Sequence, residues 1–274
     1  MLYVNGHQAE TLPITDRAVQ FGDGCFTTAL IRRGEIVALN AHLERLKNDS
    51  QRLGIDGVAW SPLSQEMINA ARSQKLAVLK VIISRGAGGR GYHPAGCHAP
   101  TRIMMLSSYP AHYHQWRKQG ISLTLSPVRL GKNPLLAGVK HLNRLEQVLV
   151  RQALEQQDAD DALVLDSTGN LIECSAANIF WCQSERVFTP DVSESGVRGI
   201  QRQWVISWLA AQGREVEEVS CGIEALHNAD EIFITNALMP ILPVNRVDGR
   251  HYANHELFRQ ISQQAHNRIS DEHD

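Results

Sequence analysis

Apolar positions along the chain change period repeatedly, and each change marks an element. Short runs rich in β-branched residues alternate with stretches in which leucines recur every three or four positions, which separates strands from amphipathic helices. Leu2-Tyr-Val4 with Asn5-Gly6 predicts a strand and turn. Phe26 to Ile31, turned back at Gly34 onto Ile36-Val37, predicts a hairpin. Asn40 is expected to cap a helix that carries Leu43, Leu46 and Leu53 on one face and stops at Gly54. A second helix is expected to begin at Ser61-Pro62, where serine caps and proline suits the first turn. Leu76 to Ser84 and Arg102 to Ser107 predict strands on either side of a glycine-rich loop, Arg85-Gly-Ala-Gly-Gly-Arg-Gly-Tyr92. This half reads as an antiparallel sheet with two helices, an α+β domain.

Residues 109–120 are polar and aromatic, contain Pro110, His112 and His114, and fit neither period. They are read as a linker between a smaller N-terminal α+β domain, 1–108, and a larger strand-rich domain, 121–274. In the second part the pattern predicts strands over 121–125, 161–166, 171–174, 178–181, 187–188, 215–219 and 231–235. Helices are expected over about 142–157, 199–212 and 223–229, followed by a hairpin at Asp248-Gly249 and a terminal helix over about 255–269.

Composition narrows the class. With 43% hydrophobic residues over 274 positions the chain can bury a large core, in one large domain or two around a cleft. Lysine and arginine number 27 against 29 acidic residues, a net charge of −2, which argues against a nucleic-acid binder. No window approaches the roughly 18 apolar residues of a membrane span, and the N-terminus lacks a basic stretch followed by an apolar one. A cytoplasmic protein with no membrane partner is expected. Five cysteines without a Cys-x-x-Cys pair indicate neither a disulfide framework nor structural zinc, and the histidine spacing matches no metal signature.

The glycine-rich loop does not open a helix, so it makes a poor dinucleotide fingerprint; it reads equally well as a long hairpin connection or as a mobile loop presenting arginine to a carboxylate. Gly138-Val-Lys-His-Leu-Asn143 sets Lys140 in an apolar context, where burial would make its amine nucleophilic. Glu173 precedes the small residues of Cys-Ser-Ala-Ala-Asn178, which let a flat ligand approach the backbone. Val197-Arg-Gly-Ile-Gln-Arg202 opens a helix, and free amides there bind an anion.

Glu173, Asn178, Phe180, Thr189, Gly199 and Arg202, with their spacing, resemble the signature of the class IV aminotransferases, the fold-type IV pyridoxal-phosphate enzymes. The resemblance also takes in Phe21-Gly-Asp-Gly-Cys-Phe-Thr-Thr28, the glycine-rich loop, Lys140 to Gln147 and Asn236-Ala-Leu-Met-Pro240. It implies the two-domain fold-type IV α+β architecture and pyridoxal 5'-phosphate as cofactor. Lys140 then matches the lysine that holds the cofactor aldehyde and moves protons, and Glu173 the carboxylate at the pyridine nitrogen. Arg45, the amides of Ile200 and Gln201 and the turn at Asn236-Ala237 match the phosphate site, so that the cofactor is expected at the junction of the domains. Within the family the chain is most similar to carbon–oxygen lyases of folate biosynthesis, which release 4-aminobenzoate and pyruvate. Thr28 is then the group that protonates or orients the departing enolpyruvate, unless it is an ordinary strand threonine. Arg90 and Tyr92 occupy the place of a carboxylate trap that reaches across a homodimer, and Tyr109 would wall or gate the site. The alternative is a transaminase of D- or branched-chain amino acids, since the cofactor residues are common to both.

Overall fold

A computed structural model describes residues 1–271, and the chain divides into two units. The first comprises Met1–Pro110 together with the excursion Val139–Asn143. Its elements are β1 (Leu2–Val4), β2 (His7–Gln8), α1 (Arg17–Phe21), β3 (Gly24–Arg32), β4 (Glu35–Ile36), α2 (Leu39–Arg52), α3 (Trp60–Ala71), β5 (Leu76–Ser84) and β6 (Thr101–Ser108). The strands form one antiparallel sheet in the order β2-β1-β6-β5-β3-β4.

Strand alternation decides what that sheet offers. Cys25, Thr27, Ala29 and Ile31 of β3 point to one face and are fully buried; the three apolar ones join Leu46 of α2 and Leu63 and Met67 of α3 in the core. Burying one such leucine or isoleucine contributes about 1.5–3 kcal/mol. Phe26 and Thr28 therefore lie on the opposite face, where the register pairs Phe26 with Ile82 and Thr28 with Lys80 of β5.

Several starts and stops differ from the sequence expectation. α2 begins at Leu39, after Ala38 in left-handed backbone, so Asn40 lies inside the helix and caps nothing. α3 begins one residue before Ser61, which leaves Pro62 in the first turn. α1 lies in a stretch to which the sequence pattern assigned no element: Asp16 caps it through a bond from the Ala18 amide, and Gly22 ends it in left-handed backbone.

The second unit spans Ala111–Gly138 and Arg144–Asp274. Its elements are α4 (His112–Gln119), β7 (Ile121–Leu125), α5 (Leu145–Leu154), β8 (Asp161–Leu165), β9 (Leu171–Cys174), β10 (Asn178–Gln183), β11 (Arg186–Pro190), α6 (Ile200–Ala211), β12 (Val216–Val219), β13 (Glu231–Thr235), β14 (Leu242–Val247), β15 (Arg250–His251) and α7 (Glu256–Asp271). A single 3₁₀ turn covers Ile223–Asn228. The sheet runs β12-β11-β10-β13-β14-β7-β8-β9, with β15 on β14, and mixes parallel and antiparallel pairs. The stretch read as a linker carries α4, whose Tyr113 and Trp116, three residues apart, pack on this unit's core. Alternate residues of β10 and β13 divide between two clusters: Ile179 and Ile234 enter the main core, while Phe180 and Phe233 stack beneath α6. Among the described residues no helix is long and apolar enough to cross a membrane.

Candidate functional site

In the first unit the chemistry gathers around Phe26. The Nζ atoms of Lys140 and Lys80 each lie 4.7 Å from the centre of its ring, a distance at which an ammonium group is attracted to an aromatic face. Thr28 is two residues further along β3 on the same face, directly opposite Lys80. Lys140 and Thr28, expected as base and acid, are thus both attached to one patch of sheet. Lys80 went unnoticed in the sequence, although it is the one charged residue in the apolar run from Leu76 to Ser84. Burial lowers its pKa from the ordinary lysine value, because desolvation disfavours the charged amine.

Lys140 lies in neither helix nor strand, and its main chain is held from outside. Its carbonyl accepts the Phe26 amide at 2.9 Å, and its own amide donates to Asp49 Oδ2 at 3.0 Å. Asp49 is on α2, one turn beyond the half-buried Arg45. His42, one turn earlier, shares a hydrogen bond of 2.6 Å with Thr27, both side chains being buried.

The glycine-rich loop joins β5 to β6 and opens no helix. Arg17, 4% exposed, donates to the carbonyls of Gly91 and Tyr92 at 2.8 and 3.3 Å, and its Nε pairs with Asp23. Arg85 pairs with the same carboxylate. Burial by itself would raise the Asp23 pKa, but the bonds from Arg85 and Arg17 outweigh it and hold it below the usual carboxylate value. At the tip, Arg90 is exposed, its backbone paired with His93. Tyr92 is 87% exposed with its ring 5.4 Å from Phe21, and Tyr109 is half-buried just past β6.

In the second unit a separate group of residues converges. Glu173 on β9 is buried, and its Oε2 accepts the Val197 amide at 2.9 Å. That approach requires Gly196: its φ is +80°, and a Cβ there would meet Ile172 Cγ2 at 2.5 Å and Glu173 Oε2 at 3.3 Å. Asn178 donates from Nδ2 to the Val197 carbonyl at 2.9 Å, tying β10 to the segment that enters α6. Among the described residues no side chain caps α6, whose N-cap is Gly199, so the first amides, those of Ile200 and Gln201, have no side-chain cap, and a helix start of this kind can receive an anion. Asn236 donates to the carbonyl of Ala176 at 3.1 Å and accepts from the amides of Leu238 and Met239, which fixes the turn after β13. Two buried hydroxyls beside these segments, Ser195 and Thr235, have no hydrogen-bond partner among the described residues. Arg202 donates from Nη2 to Pro190 O and Glu218, anchoring α6 to β11 and β12, while its buried Nε and Nη1 have no hydrogen-bond partner among the described residues. An open, mostly polar hollow of ≈ 430 Å³ in this unit, lined by Cys182, Arg214, Asp230 and Glu231, contains none of the expected site residues.

Comparison with known proteins follows the same lines. The family model for amino-transferase class IV matches residues 24–247. Over 249 residues the chain is 37% identical to aminodeoxychorismate lyase of Vibrio harveyi, covering 91% of this chain and 92% of that protein. The crystal structure of 4-amino-4-deoxychorismate lyase from Pseudomonas aeruginosa superimposes with a TM-score of 0.93 at 32% identity, covering 97% of this chain and 98% of the other. A D-alanine aminotransferase of Listeria monocytogenes is 28% identical over 265 residues, 92% of this chain and 89% of that protein.

Proposed function

The chain belongs to the amino-transferase class IV family, and from that premise we propose that it is a pyridoxal-phosphate-dependent lyase converting 4-amino-4-deoxychorismate to 4-aminobenzoate and pyruvate. The residues suit the cofactor. A phosphate needs amide donors, which the uncapped start of α6 offers, and the family resemblance gives Arg45 as its cation. The flat ring needs a carboxylate at its nitrogen, and Glu173 is buried with one oxygen already held by Val197. The partnerless hydroxyls of Ser195 and Thr235 are polar groups that a bound molecule would satisfy. Asn236 and Ala237 complete the phosphate turn.

When bound, the cofactor supplies an electron sink for the pair released by proton removal. Lys140 would hold the cofactor through its side-chain amine and, once free, would take the proton from the amine-bearing carbon of the substrate ring. Glu173 would be the carboxylate partner of the cofactor's ring nitrogen. Thr28 delivers a proton to the enolpyruvyl oxygen as its bond to the ring breaks, and the ring becomes aromatic. Lys80, partly buried and opposite Thr28, is suited to a substrate carboxylate; Arg90 and Tyr92 would serve the other from the glycine-rich loop, and Tyr109 would border the site.

The observation that supports the lyase reading is that Lys140 and Lys80 both lie over Phe26 with Thr28 on the same face, a placement that suits the proposed base, carboxylate-binding cation and acid. Homology to the Vibrio and Pseudomonas lyases supports it. Incubation of purified protein with 4-amino-4-deoxychorismate is expected to yield 4-aminobenzoate and pyruvate in equal amounts. Transfer of the amine to a keto acid without 4-aminobenzoate would overturn the assignment in favour of a transaminase.

The protein acts as a cytoplasmic homodimer in this reading. Five free cysteines suit a reducing compartment. Leu145, Val148 and Leu149 form an exposed apolar stripe on α5 at the spacing of one helix face, which a second copy would cover. Light scattering that found a fully active monomer would contradict the dimer.

A further inference from the structure

Helix α2 presents His42, Arg45 and Asp49 at intervals of three and four residues, hence along one face. The first and last make long-range contacts, to Thr27 and to the amide of Lys140. Asp49 is 7% exposed, and removing a carboxylate from water is costly unless the charge is put to use. A charge-assisted hydrogen bond to a backbone N–H is among the stronger polar contacts available to a loop.

Lys140 needs such an anchor. Its side chain has four flexible methylenes, its segment has no regular structure of its own, and in the proposed reaction its amine must leave and rejoin the same atom in every cycle. Motion of the amine is then useful, whereas motion of the backbone spreads the amine over positions from which it cannot react.

We propose that Asp49 is a positioning residue for Lys140: its carboxylate, with the Phe26 amide on the other side, clamps the lysine main chain, and because Arg45 shares its helix, the clamp sets the lysine in register with the phosphate-binding arginine. The inference rests on the reading of Lys140 as the cofactor lysine and Arg45 as the phosphate arginine.

Hydrogen exchange on the cofactor-free protein tests the clamp without any catalysis. The Lys140 amide is expected to exchange slowly in the wild type, and exchange at the rate of an open loop overturns the proposal with no variant needed. In Asp49→Ala the same amide is expected to lose its protection. Pyridoxal phosphate added to that cofactor-free variant should be captured about ten- to a hundredfold more slowly, the scale of a misplacement near 1 Å. Its kcat should fall by a similar factor with little change in KM. Asp49→Asn keeps an acceptor oxygen and is expected to restore protection and capture. A folded Asp49→Ala with wild-type exchange and capture, or a folded Asp49→Asn as slow as the alanine variant, overturns the clamp. Borohydride reduction of the wild-type holoenzyme separates the two layers: an adduct away from Lys140 removes the underlying reading, while the exchange experiment still decides whether Asp49 holds that segment.

Discussion

Thr28 and Lys80 face each other across β3 and β5, and their proposed roles separate in kinetics. Thr28→Val keeps the shape and removes the hydroxyl. If that hydroxyl protonates the leaving group, kcat falls about 10²- to 10⁴-fold while cofactor binding is retained. Lys80→Met keeps most of the stem over Phe26 and removes the charge, so KM for the dicarboxylate substrate rises about tenfold or more, with the smaller effect on kcat. Steady-state kinetics on the two variants checks both, and a threonine that merely packs in the strand would leave kcat near the wild-type value. At this scale the sequence spoke through residue type in context. Lys140 and Glu173 stand in constrained motifs, and Lys80 interrupts an apolar run. Asp49 gave no such signal, because its contact with the Lys140 amide joins positions 91 residues apart and exists only in the folded chain.

Among the elements, legibility followed length and burial. β5 was readable over Leu76–Ser84 because its apolar run is rich in β-branched Val78, Val81, Ile82 and Ile83 and ends at a glycine-rich loop. α1 was not, since five residues are too few to display a period and its ends are fixed by Asp16 and Gly22. α4 was missed for a similar reason: Tyr113 and Trp116 are its only large anchors among eight residues. The start of α2 was misplaced because Ala38 adopts left-handed backbone, which the residue type does not advertise.

The glycine-rich loop also makes a prediction at this scale. Asp23 holds both Arg17 and Arg85, and Arg17 in turn holds the carbonyls of Gly91 and Tyr92. Its pKa in the fold lies below the ordinary value of 3.8, so its stabilising contribution is complete above 3.8 and is lost as pH falls through the lower, folded value. Asp23→Asn leaves two largely buried guanidinium groups without their carboxylate and is expected to cost about 3 kcal/mol at neutral pH. It should also flatten the acid limb of the stability curve. Denaturant melts of both proteins across pH measure this; equal stability at neutral pH would mean that the arginines find other partners.

For the whole molecule, the α+β class and the class IV family were visible in the strand pattern and in the run from Glu173 to Arg202. The division of the chain was less so. The excursion Val139–Asn143 carries Lys140 into the first unit, although its neighbours on both sides belong to the second. Linear patterning cannot reveal this, because it arises from hydrogen bonds of Phe26 and Asp49 with Lys140 and of the Leu142 amide with Gly24.

The most direct measurement is the identity of the lysine that takes the cofactor. The purified holoenzyme is expected to show a visible absorbance band, and borohydride should convert it to a stable adduct that peptide mass spectrometry places on Lys140. In Lys140→Ala the band should be absent. An adduct on Lys80, or a band that persists in Lys140→Ala, would contradict the account.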